Sequence, residues 1–205
     1  MKTLIINASP RKGGNTSIAI DIITKVLNRE GIETEVVQIG MESIRGCMAC
    51  YKCAELGKCV IDTDIVNELA DKLIAADGFI LASPVYYGGM NGTLKSALDR
   101  IFLRNIDCGG KVAAAIAVCR RGGNETTLDQ MNKYLFYSRS IIVGSTYWSG
   151  AFGLDPGEIN KDIEGVQVMN NLAENFAFAM KSVQLGKEKY GVPEKPETTM
   201  MNFIR

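Results

Sequence analysis

Short, unbroken apolar runs alternate along this chain with longer segments in which apolar residues recur every three or four positions. Residues 3–7 form the first such run, and a stripe through Ala19, Ile22, Ile23, Val26 and Leu27 follows it, which predicts a βα unit. A second extended run, residues 34–39, precedes a cysteine-rich segment. Beyond that segment Ile65, Val66, Leu69, Ala70, Leu73 and Ile74 repeat at helical spacing. Residues 78–83 predict a third strand, and Leu94, Ala97, Leu98, Ile101 and Phe102 share one face of the helix after it. Residues 112–119 read as a fourth buried strand, and Leu128, Met131 and Leu135 mark a helix. Residues 140–148 supply a fifth strand. Val166, Met169, Leu172, Phe176, Met180 and Val183 form the last stripe.

Strands apolar on both faces, separated by amphipathic helices, specify a parallel sheet covered on each side and joined by right-handed crossovers. Five such strands predict an α/β, doubly wound sheet of order 2-1-3-4-5, with a ligand site outside the carboxyl ends near the switch point. The loops after strands one, three and four should therefore carry function. The 205 residues, 46% of them hydrophobic, suffice for one buried core. We read one domain over residues 1–185, with a cysteine-rich loop at 46–60 and a poorly packed tail at 186–205 that contains Pro193 and Pro196. The tail ends in Met200-Met-Asn-Phe-Ile, apolar enough to dock on a partner subunit.

Charge and composition narrow the chemistry. The 23 Lys and Arg residues balance the 23 Asp and Glu residues, so neither nucleic acid nor an anionic membrane is an expected partner. The N-terminus runs straight into a strand, with no apolar stretch long enough for a signal peptide or membrane span, and a cytoplasmic protein is expected. The sequence contains no histidine, which removes the commonest general base and every Cys-His or Ser-His nucleophile. Redox or transfer chemistry would then belong to a bound cofactor, and no side chain is nominated as catalytic.

After the first strand comes Asn7-Ala-Ser-Pro-Arg-Lys-Gly-Gly-Asn-Thr-Ser17, a run of small, hydroxyl and basic residues ending where a helix begins. Unpaired N–H groups and the dipole at a helix start favour a phosphate, and Gly13 and Gly14 allow tight turns around it. Ser9, Asn15, Thr16 and Ser17 can donate hydrogen bonds to such an anion, and Arg11 supplies charge. The plainer alternative is that Asn15 or Thr16 merely caps the helix. Neither G-x-G-x-x-G nor a P-loop pattern is present in the loop, which weakens dinucleotide and nucleoside-triphosphate readings.

The segment Gly46-Cys-Met-Ala-Cys-Tyr-Lys-Cys-Ala-Glu-Leu-Gly-Lys-Cys59 has the spacing C-x2-C-x2-C-x5-C. Its first three cysteines follow the run that gives three ligands to three irons of a [4Fe-4S] cluster, and Cys59 is the natural fourth. It differs from the ferredoxin run, whose fourth cysteine follows after three residues and serves another cluster. A four-thiolate zinc site and a loop of reduced cysteines remain as alternatives. Cys108 and Cys119 read as ordinary buried thiols, with a redox role for Cys119 the less favoured reading.

Two further segments complete a pattern: Ser83-Pro-Val-Tyr-Tyr-Gly-Gly-Met-Asn-Gly-Thr-Leu-Lys-Ser-Ala-Leu-Asp-Arg100 and Arg120-Arg-Gly-Gly-Asn-Glu-Thr-Thr-Leu128. With the first loop, they resemble the NADPH-dependent FMN reductase and iron-sulfur flavoprotein branch of the flavodoxin-like superfamily, over nearly the whole chain. The resemblance implies a flavodoxin-like fold with FMN at three loops. Ser9, Arg11, Asn15, Thr16 and Ser17 would hold the phosphate. Pro84, Val85, Tyr86, Tyr87, Gly88 and Gly89 would flank the ring, and Arg120, Gly122 and Gly123 would form the third loop. Physically, Pro84 stiffens a turn, the glycines let main chain approach a flat ring, and the tyrosines offer walls, although Tyr86 and Tyr87 could simply cover the sheet end.

The cysteine spacing is similar to the compact motif of iron-sulfur flavoproteins, which carries Cys47, Cys50, Cys53 and Cys59 over as ligands of a [4Fe-4S] cluster. The resemblance implies an FMN-dependent oxidoreductase that transfers electrons between a one-electron carrier and a two-electron acceptor. Its donor would be an electron-carrier protein such as ferredoxin, or NAD(P)H, with a small-molecule acceptor possible. Because the cysteine loop follows an edge strand, a homo-oligomer, dimer or tetramer, is expected to bring one protomer's cluster to another's FMN. The rival readings are an NAD(P)H-dependent FMN or quinone reductase without a working cluster, and a zinc-loop regulatory or scaffold protein.

Overall fold

The protein is described by a computed structural model covering residues 1–197, 199 and 201–204. Met200, at the start of the apolar tail segment, lies outside the described residues. The strands are β1 (Lys2–Asn7), β2 (Glu33–Gln38), β3 (Gly78–Tyr86), β4 (Gly89–Met90), β5 (Val112–Cys119), β6 (Ile141–Ile142) and β7 (Gly150–Phe152). The helices are α1 (Asn15–Arg29), α2 (Cys53–Leu56), α3 (Val66–Ala75), α4 (Gly92–Leu103), α5 (Asn124–Tyr137) and α6 (Ile163–Tyr190), with a 3-10 turn at Glu158–Lys161. Parallel strands run in the order β2-β1-β3-β5-β6, the flavodoxin-like order 2-1-3-4-5 expected from the pattern.

The period-two alternation of β1 explains the layers. Leu4 and Ile6 pack with the residues of α3, α4 and α5, whereas Ile5 points to the opposite core with α1 and α6. β5 is buried along its whole length, and its small Ala113, Ala115 and Ala117 let the α4 and α5 face approach closely. Burial on both faces is what removes any polar alternation from these central strands.

Three elements differ from the sequence expectation. β3 runs three residues beyond the expected end and folds back as a hairpin with β4, pairing Val85 with Met90 and Tyr86 with Gly89. Tyr87 and Gly88 turn it, both with positive φ (50° and 74°), the conformation a two-residue hairpin demands. β2 is an edge strand, and Val36 is exposed.

The expected fifth strand is interrupted. Ile141–Ile142 and Gly150–Phe152 each pair with β5, and the residues between them swing outward. Helix α6 takes up their polar groups: Ser145 Oγ donates to the Val168 carbonyl at 2.7 Å, and Asn175 Nδ2 donates to the Gly144 carbonyl at 3.0 Å. α6 itself continues five residues past the expected domain end, to Tyr190. Lys187 and Lys189 suit its C-terminal dipole, and Gly191 (φ 74°) closes it. Among the described residues no helix is long and apolar enough to cross a membrane.

Candidate flavin cleft and cysteine loop

The loops after β1, β3 and β5 meet at the carboxyl edge of the sheet. They enclose a cleft of about 160 Å³ lined by Ser9, Arg11, Asn15, Thr16, Pro84, Val85, Tyr86 and Arg120, together with Val118, Cys119, Gly153 and Leu154. Gly14 is the N-cap of α1 and makes no side-chain cap, so neither Asn15 nor Thr16 serves as the cap that the plainer sequence reading required. No acidic residue occupies the first turn. Among the described residues, the N–H groups of Asn15, Thr16 and Ser17 make no backbone hydrogen bond, leaving the positive end of the dipole open to an anion.

The loop itself is held from behind. Asn7 Oδ1 accepts from the Ser9 N–H at 2.9 Å, Ser9 Oγ accepts from the Arg11 N–H at 3.3 Å, and Gln38 Nε2 donates to the Ser9 carbonyl at 2.7 Å. Arg11 Nη1 donates to the Leu154 carbonyl at 3.2 Å. Ser17 Oγ is engaged by Asn7 Nδ2 at 3.1 Å. Asn15 lines the cleft, but its amide is committed to scaffold. Its Nδ2 donates to the Asp155 carbonyl at 2.9 Å, and its Oδ1 accepts from the N–H groups of Gly157 and Ile159 at 3.0 and 3.3 Å. Thr16, buried at the same turn, retains the freer hydroxyl.

Backbone contact between loops fixes the ring side of the cleft. A Cβ on Gly123, which has φ +88°, would lie 2.9 Å from Gly88 Cα and 3.1 Å from Val85 Cγ1. The second and third loops therefore touch through glycine. Tyr86 is half exposed on the cleft wall, whereas Tyr87 stands fully in solvent at the hairpin tip, and Gly122 and Gly89 flank these contacts without lining the cleft. Burial raises the Cys119 thiol pKa against weaker opposition from neighbouring N–H groups, so this cysteine is held as a neutral wall residue. Burial raises the Cys108 thiol in the same way. A flat ligand with an anionic tail fits this cradle.

Cys47, Cys50, Cys53 and Cys59 line a second, separate pocket with Ile61, Arg100 and Leu103. All four thiols are free, Cys47 and Cys50 exposed and Cys53 buried. Between the first three lie Ala49 (φ 50°) and Tyr51 (φ 56°), non-glycine residues in the left-handed region that need an external constraint to persist. Cys53 Sγ donates to the Leu103 carbonyl at 3.6 Å. Asn67 brackets Cys59, accepting from its N–H at 2.9 Å and donating to its carbonyl at 3.0 Å. Among the described residues no three Cys, Asp or Glu side chains lie close enough to grip a single metal ion.

Arg100, on α4, is buried beneath this loop and makes an ion pair with Asp64, whose side chain is 7% exposed. Burial works against the charge on each partner. It is overcome at Arg100 by hydrogen bonds to Asp64 and Cys59, which raise its pKa, and at Asp64 by hydrogen bonds from Arg100 and the Val66 N–H, which lower it. Sequence reading missed this pair, although a charged residue three places from Ala97 on an apolar helical face is a signal that could have found Arg100. It also missed Gln38, Gly153 and Leu154. Gly40 was missed as well: a Cβ there would lie 2.2 Å from the Ser9 carbonyl carbon and 2.4 Å from Pro10 N.

Comparison with known proteins bears on the family and the fold. A family model described as NADPH-dependent FMN reductase matches residues 1–155. An iron-sulfur flavoprotein of Methanocaldococcus jannaschii is 35% identical over 198 residues, covering 90% of this chain and 100% of that protein. An iron-sulfur flavoprotein of Methanosarcina thermophila is 34% identical over 194 residues, covering 92% of this chain and 100% of its own length. Among solved structures, RosB with a bound 8-demethyl-8-formylriboflavin-5'-phosphate intermediate superposes with a TM-score of 0.73 at 18% identity, over 100% of this chain and 92% of that one, a likeness of fold.

Proposed function

The chain belongs to the NADPH-dependent FMN reductase family, and from that premise we propose that it is an electron-transfer flavoprotein carrying FMN and a [4Fe-4S] cluster. The observation that carries the reading is the coexistence of two separate cradles on one fold. One has an open helix start and a wall of Pro84, Val85 and Tyr86, and the other has four thiols lining a pocket backed by a buried arginine. When bound, FMN would supply two-electron chemistry and the cluster one-electron chemistry.

The chain's own residues bind, orient and insulate. The first-turn N–H groups of α1, Thr16 and Arg11 would receive the phosphate, while Pro84, Val85 and Tyr86 would wall the ring and limit water. Cys47, Cys50, Cys53 and Cys59 would hold the cluster. The donor would be a ferredoxin-like carrier or NAD(P)H, and the acceptor another carrier or a small molecule.

The cysteine loop lies against the far half of α4, at Arg100 and Leu103, while the ring hairpin lies before its first turn. Gly92 and Leu103 are eleven residues apart on α4; at the helical rise this is about 16 Å. That separation supports a homo-oligomer in which the short path runs between protomers.

Anaerobic purification followed by flavin, iron and sulfide analysis tests the reading. Bound FMN, with iron and sulfide in equal amounts at one cluster per flavin, is expected. FMN without iron would favour the second reading, a flavin reductase in which the cysteine loop is structural; the separateness of the two pockets permits it. Zinc with no flavin band would overturn both.

A further inference from the structure

Resting on the cluster reading above, we infer that Arg100 is a positioning residue for the iron-sulfur site: it clamps both stems of the cysteine loop and tunes the cluster's potential through a hydrogen bond to Cys59 Sγ. Each of its five N–H donors has an acceptor. Nη1 donates to the Arg45 carbonyl at 3.2 Å, two residues before Cys47, and Nη2 donates to the Ile61 carbonyl at 2.8 Å, two residues after Cys59. The remaining Nη1 and Nη2 donors form a bidentate pair with Asp64, through Oδ2 and, at 3.0 Å, Oδ1. Nε is left, and it donates to Cys59 Sγ at 3.2 Å.

An arginine is suited to this role because its planar fork fixes all five directions at once; lysine offers a point charge and no such fork. The carbonyl contacts hold the loop's entrance and exit at a fixed separation, and Asp64 both orients the guanidinium and offsets its charge. Nε then presents one donor to one ligand sulfur. A donor to a coordinating sulfur stabilises the extra negative charge that one-electron reduction brings, with no bond broken and no proton moved, and so raises the reduction potential.

The test uses the full-length protein reconstituted anaerobically with iron and sulfide, with EPR-monitored redox titration as the readout. Arg100→Lys should load a cluster whose midpoint potential is more negative than wild type. Asp64→Asn, which keeps the Cys59 contact but removes the offsetting carboxylate, should move it the other way. The flavin potential should stay unchanged in both. Wild-type protein labelled with 15N-arginine should show a labelled nitrogen coupled to the reduced cluster, a measurement independent of whether either variant folds. An unlabelled-like spectrum, or loaded variants with wild-type potentials, would overturn the role of Arg100. Wild-type protein that takes up no iron and sulfide would overturn the cluster reading itself, and the absence of any cluster signal tells that failure apart.

Discussion

Gly40→Ala should weaken FMN binding far more than riboflavin binding. Gly40 follows β2 with its Cα pressed against the phosphate loop, where an added Cβ would stand 2.2 Å from the Ser9 carbonyl carbon and 2.4 Å from both Pro10 N and the Ser9 carbonyl oxygen. All three are backbone atoms, so no side-chain rotation relieves the clash. Either the loop or the end of β2 must shift, and overpacking of this kind costs about 1–3 kcal/mol. The loop is where the shift would be felt, since the Ser9 N–H bond to Asn7 and the Gln38 bond to the Ser9 carbonyl sit at the clash itself.

Displacing the loop would misdirect the N–H donors and hydroxyls proposed to receive the phosphate. Losing one hydrogen bond to a charged group is worth about 1.5–3 kcal/mol, or roughly 10- to 100-fold in Kd. Riboflavin has the same ring and no phosphate, and should lose far less than FMN. Fluorescence-quenching titrations of apoprotein with each flavin, alongside a thermal melt, measure the difference directly. Equal losses for both flavins, or unchanged FMN affinity in a folded variant, would refute the assignment of this loop to the phosphate.

Cys50→Ala should abolish iron and sulfide binding while FMN absorbance is retained, since the two pockets share no lining residue. Gly123→Ala places a Cβ at φ +88° against Gly88; it should weaken both FMN and riboflavin by about tenfold or more through a shifted ring loop, read by the same titration. Asp64→Asn should destabilise the apoprotein by about 3–5 kcal/mol at neutral pH by leaving Arg100 unpaired. Because the folded-state pKa of Asp64 is lowered, the wild-type advantage is complete above the ordinary aspartate value near about 3.9 and is lost as pH falls through the folded value; denaturant melts of both proteins across that range should converge in acid. Sedimentation of the loaded protein should give more than one chain per particle, and a monomer with full cluster-to-flavin transfer would refute the inter-protomer path.

What the sequence made legible, it made legible locally. The run Val112–Cys119 is apolar on both faces, and the C-x2-C-x2-C spacing is a motif in one short loop, so both could be read without knowing what lies across the fold. The contacts that complete the site are different in kind. Arg100 and Asp64 are 36 residues apart, and Ser9 and Gln38 are 29 apart, so neither pair leaves a periodic trace. The interruption of the fifth strand is illegible for a related reason. Thr146, Tyr147 and Trp148 have strand-forming side chains, yet α6 offers Asn171 and Asn175 as partners for this segment, and tertiary contact overrides propensity. Asn15 shows the converse: its position at a helix start is legible, whereas its use as a brace for residues 155–159 is not.

Helix α4 gives the two candidate sites their common frame. At its start the Asn91 N–H donates to Ser83 Oγ at 2.9 Å and Asn91 Oδ1 accepts from the Thr93 N–H at 2.7 Å, tying the helix to the ring hairpin. Met90 N–H is held by Gln130 Oε1 at 3.1 Å, which anchors the same hairpin to α5. Eight residues beyond Gly92, Arg100 grips both stems of the cysteine loop. Each end is tied by buried or part-buried hydrogen bonds, and the element between them is a continuous helix. The separation between the ring hairpin and the stems of the cysteine loop within one protomer is therefore set largely by helical rise. If electrons pass between the proposed cofactors over a shorter distance, a second chain must supply it, and the rigidity of α4 is the physical reason to look for one.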